Sequence, residues 1–504
     1  MIRVVIFLLA VSLCGIQQAA AQSFHTAKAK SPEAGTIFIY PERIPLQNGD
    51  MFTAERGLMF VPLNRSKSTS DVIAVEFYRF PRSERADQNA PPLFILNGGP
   101  GFEGLEADLK NLGTFEQRLQ QFLEVSEVVV VGQRGIGSSK PHTQIEMNVP
   151  QSDASEAYDA DKAMSVFRDG LASERQFWLD QGVDLNGFTV LEAATDVRDV
   201  AQALGYEKIA IMGGSFGSHW GMSLMRKHPE IIERAVLHGM EGPDHTWDHP
   251  GWLWNVYKRV AEEAEQDDKL KGMIPEGGLI KAVESLVQRA SDEPFTVTLS
   301  ASRDVLIDRY VMQQLARGYT RSLPAWPAEI ISMSNGDYKA AAQVVALRAG
   351  AQQRQFTTAS YWMLDSSSGI TARRRAEFEA DPALQIIGST FDWYATGSPV
   401  WETDLGDDFR QNFETEIPTV IVHGTWDVST PYENALELAP YFKDSRFITV
   451  KRGSHGALGE AIRSNSEFRR ALTKFLATGD MSDLPEGIEL PQPQWKIPDL
   501  PAGE

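Results

Sequence analysis

The stretch Ile209-Ala210-Ile211-Met212-Gly213-Gly214-Ser215-Phe216-Gly217 decides how this chain is read. Four apolar residues of strand character run into a glycine-flanked serine, and Ser218 to Lys227 continues in helical pattern. A Gly-x-Ser-x-Gly segment between strand and helix has a physical logic. The serine sits on a sharp, strained turn, and the neighbouring glycines let strand and helix approach without Cβ clashes. The turn lifts the hydroxyl of Ser215 to the carboxyl edge of a sheet and aims the N–H of Phe216 at a developing oxyanion. The same pattern also serves plain Gly-rich connections, so its meaning depends on what accompanies it.

A serine hydroxyl is a weak nucleophile and needs a base that a carboxylate orients. Downstream, Thr419-Val420-Ile421-Val422 reads as a strand, and His423-Gly424-Thr425-Trp426-Asp427 follows it. Phe447-Ile448-Thr449-Val450 reads as the next strand, followed by Gly453-Ser454-His455-Gly456. Asp427 and His455 therefore stand where acid and base belong in the order Ser, Asp, His, on loops opening on the same sheet edge as Ser215. A second oxyanion donor belongs on the loop after Leu93-Phe94-Ile95-Leu96. There Asn97-Gly98-Gly99-Pro100-Gly101 offers a backbone N–H from Gly98 or Gly99. Gly132-Gln133-Arg134-Gly135 after Val128-Val129-Val130-Val131 reads as a structural turn beside the site, with Arg134 an anchor.

Further strands are expected at Gly57 to Leu63 and Val72 to Tyr78, an opening antiparallel pair, and at Ala235-Val236-Leu237. Continuous apolar runs suit strands covered on both faces, and helical stretches such as Leu191 to Leu204 and Gly459 to Leu476 separate them. The fold class is α/β, with a mostly parallel central sheet. Between Leu237 and Thr419 no strand of that sheet is apparent, and the helical patterns at Trp252 to Glu265, Leu279 to Ala290 and Ala340 to Gln353 point to an inserted, mainly α-helical cap. Asp381-Pro382 and Gly397-Ser398-Pro399 read as turns within it. The expected division is a signal peptide over 1–21, a first core part over 22–240, the cap over 241–415, a second core part over 416–480 and a Pro-rich tail over 481–504.

The net charge of −20, with no cluster of Lys and Arg, argues against nucleic acid or an anionic membrane as partner. One cation, an apolar run through Leu13 and then Ala19-Ala20-Ala21 resemble an export signal with its cleavage site. An exported protein, periplasmic or extracellular, is expected; bulky Leu13 disfavours lipid attachment at Cys14. Cys14 is the only cysteine of the chain, so a processed chain has no disulfide and no thiolate chemistry. His245 and His249 have helical spacing beside Asp244 and Asp248, but Pro250 follows and no third ligand is evident, so no metal is expected. His219, His228, His238 and His423 read as structural, and no cofactor is implied.

Together these segments resemble the peptidase family of proline iminopeptidases and tripeptidyl aminopeptidases, within the α/β-hydrolases. Asn97-Gly98-Gly99-Pro100-Gly101 is similar to that family's His-Gly-Gly-Pro-Gly loop, Gln133 to Ser138 to its Asp-Gln-Arg-Gly-x-Gly-x-Ser stretch, and the Ser215 segment to its Gly-Gly-Ser-Trp-Gly elbow. Ile417 to Gly456 resembles the tripeptidyl aminopeptidase branch. Asn97, Gly132 and Phe216 depart from the family's His, Asp and Trp. The resemblance implies an α/β-hydrolase fold, Ser215 as nucleophile, Asp427 as acid, His455 as base and a peptide as substrate. It further implies a cap pocket for a free amino group, for which Glu241, Asp244 and Asp365 are the candidates, since a carboxylate pairs with an ammonium ion. An esterase with the same triad is the main alternative, and a non-catalytic binding protein on this scaffold is another.

Overall fold

A computed structural model describes residues 4–6, 32–45, 51–84, 86, 89–101, 119–148, 153–300, 303–350 and 354–499 of the 504-residue chain. The rest of the expected signal peptide and the end of the tail lie outside the described residues. The central sheet comprises β1 (Val4–Ile6), β2 (Ile37–Pro45), β3 (Met51–Pro62), β4 (Val72–Phe80), β5 (Leu93–Leu96), β6 (Val128–Val131), β7 (Ile209–Gly214), β8 (Ile232–His238), β9 (Thr419–Gly424), β10 (Ser445–Lys451) and β11 (Gly487–Glu489). Their spatial order is β1-β2-β3-β4-β6-β5-β7-β8-β9-β10-β11. The pairs β2/β3, β3/β4 and β4/β6 are antiparallel, and every pair from β6/β5 through β10/β11 is parallel. All the strands expected from sequence are present, and the opening pair is antiparallel as read. β1, β2 and β11, all on the outer side of these strands, were not expected from the sequence, which reads residues 1–21 as a signal peptide.

The central parallel strands β5 to β9 are largely buried, and β6 and β9 have no exposed residue, whereas β10 and β11 at the edge are partly exposed. Side-chain alternation splits their cores. Ile209 and Ile211 face α2 (Val190–Ala203) and α3 (Phe216–Lys227), in a cluster with Val197 and Trp220. Ala210 and Met212 face the other way, towards Phe468, Leu472 and Phe475 of the C-terminal helices. The long helix expected from Gly459 to Leu476 is two, Ala457–Ser464 and Ser466–Thr478. Asn465 breaks it: its side chain accepts the N–H groups of Glu467 and Phe468 and so starts a new helix.

The chain between β8 and β9 is mainly helical, and its strands stay out of the central sheet. Pro250–Ala264, Gly278–Asp292, Arg309–Ala316, Trp326–Ser334 and Lys339–Gly350 share one apolar core around Val256, Leu279, Trp326 and Ile330. A hairpin, Phe295–Ser300 with Arg303–Ile307, completes this lobe. A second group, α4 (Ala359–Ser368) and α5 (Asp392–Trp401), packs with α1 (Ala160–Asp180), where Phe167 meets Trp362 and Trp393 edge-on at 5.3 and 4.6 Å. Arg354–Thr358, just before α4, pairs antiparallel with Gln144–Asn148, so segments before the serine also build this layer. Gly397-Ser398-Pro399 is not a turn but lies inside α5. A Cβ at Gly397 would come 3.0 to 3.3 Å from Leu171, Trp362 and Phe167, so the glycine serves close helix packing instead of a bend. Among the described residues no helix is long and apolar enough to cross a membrane.

Candidate active site

Strand order sets the site. β5 lies between β6 and β7, so the chain leaves it in one direction and continues on its other side, and a crevice opens at the carboxyl ends of β5 and β7. Leu96 pairs with Gly213 across that crevice, which brings Asn97 to Gly101 beside Ser215. Ser215 holds φ 57° and ψ −135°, a conformation that costs a non-glycine residue on the order of 1–3 kcal/mol and tends to occur at functional turns. The glycines around it are needed. A Cβ on Gly213 would fall 2.2 Å from the carbonyl oxygen of Gly217, and one on Gly217 2.0 Å from that of Leu96. Ser215 N–H donates to the carbonyls of His238 and Gly239, both at 3.1 Å. Phe216, first residue of α3, has no helical carbonyl four residues back for its own N–H.

Asp427, fully buried, follows β9, and His455 follows β10. His455 Nδ1 lies 2.9 Å from Oδ2 and 3.0 Å from Oδ1 of Asp427. The same carboxylate accepts the N–H groups of Ser429 and Thr430 and the hydroxyl of Thr430 at 2.9 to 3.0 Å. Burial alone would raise its pKa, but the bond and charge of His455 with the Thr430 N–H outweigh burial and hold it below the usual range. Burial pulls the imidazole down, yet Asp427, with help from Asp248, carries it above its ordinary value. The ring lies against Gly239, where a Cβ would sit 3.2 Å from Cε1, and Gly239 is the residue whose carbonyl takes the Ser215 N–H. Among the described residues no hydrogen bond joins Ser215 Oγ to the imidazole; contacts of this kind often close only with substrate bound.

The three acidic candidates separate. Asp244 accepts the N–H and hydroxyl of Thr371, both at 2.7 Å, and Nε of Arg374 at 3.1 Å. Its oxygens are committed to fastening the cap, which corrects the expectation that it serves a substrate amine. Glu241 and Asp365 stay near each other, and sequence reasoning missed a third member, Asp248. Burial first, then Asp365 and Asp248, pushes Glu241 well above the usual carboxylate range; burial and Asp248 do the same to Asp365. Burial and the charge of Asp427 push Asp248 up to about 7. Tyr361 and Tyr394, with hydroxyls 3.3 Å apart, border these carboxylates. Glu241 and Asp248 keep partial exposure. The Glu241 N–H donates to Ser218 Oγ, which donates to the Ser215 carbonyl, so this carboxylate is tied to the serine turn. The signal that could have found Asp248 was its place in the same short segment after β8.

The remaining histidines have structural partners. His219 bonds to the Gly242 carbonyl at 3.0 Å and Ser368 Oγ at 2.9 Å, and burial lowers it to about 4. His245 lies 3.3 Å from Glu437, whereas His249 stacks on Trp252 and lies 3.3 Å from Asp381, so the two do not share a ligand set. Arg134 is a buried anchor: it pairs with Asp196 through Nε at 2.8 Å and Nη2 at 2.7 Å and donates to the carbonyls of Leu63 and Gly187.

Two family models match the chain, alpha/beta hydrolase fold over residues 91–264 and TAP-like protein over residues 392–486. The sheet order and the first of these matches give the chain an α/β-hydrolase fold. In sequence it is similar to proline iminopeptidases and tripeptidyl aminopeptidases. Tripeptidyl aminopeptidase of Streptomyces coelicolor is 22% identical over 80% of this chain and 77% of its own length. Proline iminopeptidase of Neisseria gonorrhoeae is 22% identical over 75% of this chain and 87% of its own. Serine protease Hip1 of Mycobacterium tuberculosis is 28% identical over 37% of this chain, and the match spans 36% of that protein's length.

Proposed function

We propose that this chain of α/β-hydrolase fold is an exported serine peptidase that cleaves near the free N-terminus of peptides. One observation carries the choice of substrate: Glu241, Asp248 and Asp365 lie within electrostatic reach of one another, with Asp248 also near the Asp427–His455 pair and two tyrosines beside them. Three carboxylates with raised pKa values destabilise one another and lack a countercharge sufficient to relieve them. A peptide's terminal ammonium supplies that charge. The names of the relatives agree with this direction, and the apolar run and small residues before Gln22 support export.

In this reading Ser215 Oγ attacks the scissile carbonyl while His455 takes its proton, and Asp427 fixes the tautomer and steadies the imidazolium. The N–H groups of Phe216 and of Gly98 or Gly99 receive the oxyanion. His455 then protonates the leaving amine, and water hydrolyses the acyl-enzyme by the reverse roles. The span between the ammonium site and Ser215 sets how many residues are released. A fluorophosphonate probe is expected to label the wild type at Ser215 and leave Ser215→Ala unmodified; an unlabelled wild type, or labelling elsewhere, contradicts the proposal.

A further inference from the structure

The loop from Asn97 to Gly101 carries the second oxyanion donor of the proposed reaction, yet its own residues give it little stiffness. Gly98, Gly99 and Gly101 make up most of it, and Gly99 and Gly101 hold φ 118° and 84°. Gln133, buried just after β6, meets the loop at both ends. Its Nε2 donates to the carbonyls of Asn97 at 3.3 Å and Gly98 at 3.1 Å, and its Oε1 accepts the N–H of Gly101 at 2.9 Å. Those two carbonyls matter because of peptide planarity. The Asn97 carbonyl shares a trans peptide plane with the Gly98 N–H, and the Gly98 carbonyl with the Gly99 N–H. In a trans peptide the two groups point in opposite directions, so a donor fixed on the carbonyl aims the N–H behind it.

The loop's other contacts complete a clamp. A Cβ at Gly101 would lie 2.6 Å from Tyr361 Cβ, and one at Gly98 3.1 Å from Ser215 Cβ and 3.7 Å from Ser215 Oγ. The loop is therefore held between the cap, the serine turn and Gln133, and among the described residues only Gln133 bonds to the peptide groups that carry the candidate donors. A hydrogen bond on the carbonyl also polarises the peptide and makes its N–H a better donor.

We propose that Gln133 is a positioning residue that aims and polarises the oxyanion donor of Gly98 or Gly99. The inference rests on the serine-peptidase reading of Ser215. Gln133→Ala is expected to lower kcat roughly 100-fold, the scale of an oxyanion donor displaced by about 1 Å, while KM stays within about threefold. Rates are taken per active site titrated with a fluorophosphonate, which removes any loss of folded enzyme. Gln133→Glu keeps the acceptor for Gly101 but turns a second oxygen towards two carbonyls, so it must lose at least as much kcat. Affinity for a peptide aldehyde, whose adduct carries the oxyanion, should fall in parallel with kcat, whereas a purely structural role would lower the melting temperature and the titrated fraction and leave these per-site values unchanged. If Gln133→Ala does not fold, Gln133→Glu and Gln133→Asn decide. Per-site kcat and aldehyde affinity within twofold of wild type in a folded variant overturn the inference. A wild type that neither labels nor turns over instead sinks the proposed function.

Discussion

Ser215 at φ 57° and the 2.9 Å contact of His455 with Asp427 define what single residues contribute to the proposed chemistry. Replacing Asp427 with Asn leaves the shape and its backbone donors in place but reverses the tautomer at Nδ1. A kcat loss on the order of 10⁴-fold is expected, with an unchanged circular dichroism spectrum as the control. His455 acts as base only when neutral, and its pKa is raised above the ordinary value of about 6.5, so kcat/KM should climb with pH through a midpoint above that value. Asp248 contributes to that rise. Asp248→Asn should move the midpoint down and raise KM for substrates with a free amine; a pH–rate profile unchanged in both respects would count against the cluster's role. Ser215, Asp427 and His455 were legible because a strand, a turn residue and chain order point at each. Asp244 and Asp248 were not separable, since only the fold reveals that Thr371 and Arg374 claim Asp244.

Between elements, the site depends on contacts with little tolerance. Arg134 ties the turn after β6 to α2 through Asp196, and to the backbone at Leu63 and Gly187. Arg134→Ala strands a buried carboxylate and two carbonyls, and about 3–5 kcal/mol of stability should be lost in urea unfolding. A loss under 1 kcal/mol would show that Arg65, which also reaches Asp196 at 2.7 Å, suffices alone. Most strands were readable because parallel strands covered on both faces are continuous apolar runs, as in Val128 to Val131. The errors share a cause. Gly397 and Pro399 carry turn chemistry, but packing against Phe167 and Leu171 overrides it, and Asn465 splits a periodic stretch that reads as one helix.

At the level of the whole molecule, the cap and the sheet edge enclose acidic groups that oppose folding. Glu241, Asp248 and Asp365 have raised pKa values, so the folded state binds more protons than the unfolded chain from about pH 4 up to, for Asp248, about pH 7. Their contribution is complete below the unfolded pKa and is lost as pH rises through the folded one. Glu437, lowered to about 2 chiefly by His245 and Arg374 against burial, works oppositely and loses its contribution below about pH 4. Asp248→Asn should therefore stabilise the protein by up to about 4 kcal/mol at pH 8 and by little at pH 4, as thermal unfolding at both values would register. Such a gain bought with weaker amine binding fits the trade between activity and stability expected of a strained site. The order of the strands was visible in the sequence, whereas the approach of Asp365 in the cap to Glu241 and Asp248 required the tertiary structure. The decisive measurement compares kcat/KM for a tripeptidyl anilide with a free N-terminus and for its N-acetylated form. At least a 100-fold preference for the free amine, lost in Glu241→Gln/Asp248→Asn and with all turnover abolished in Ser215→Ala, is the predicted result; equal rates on the two substrates would contradict it.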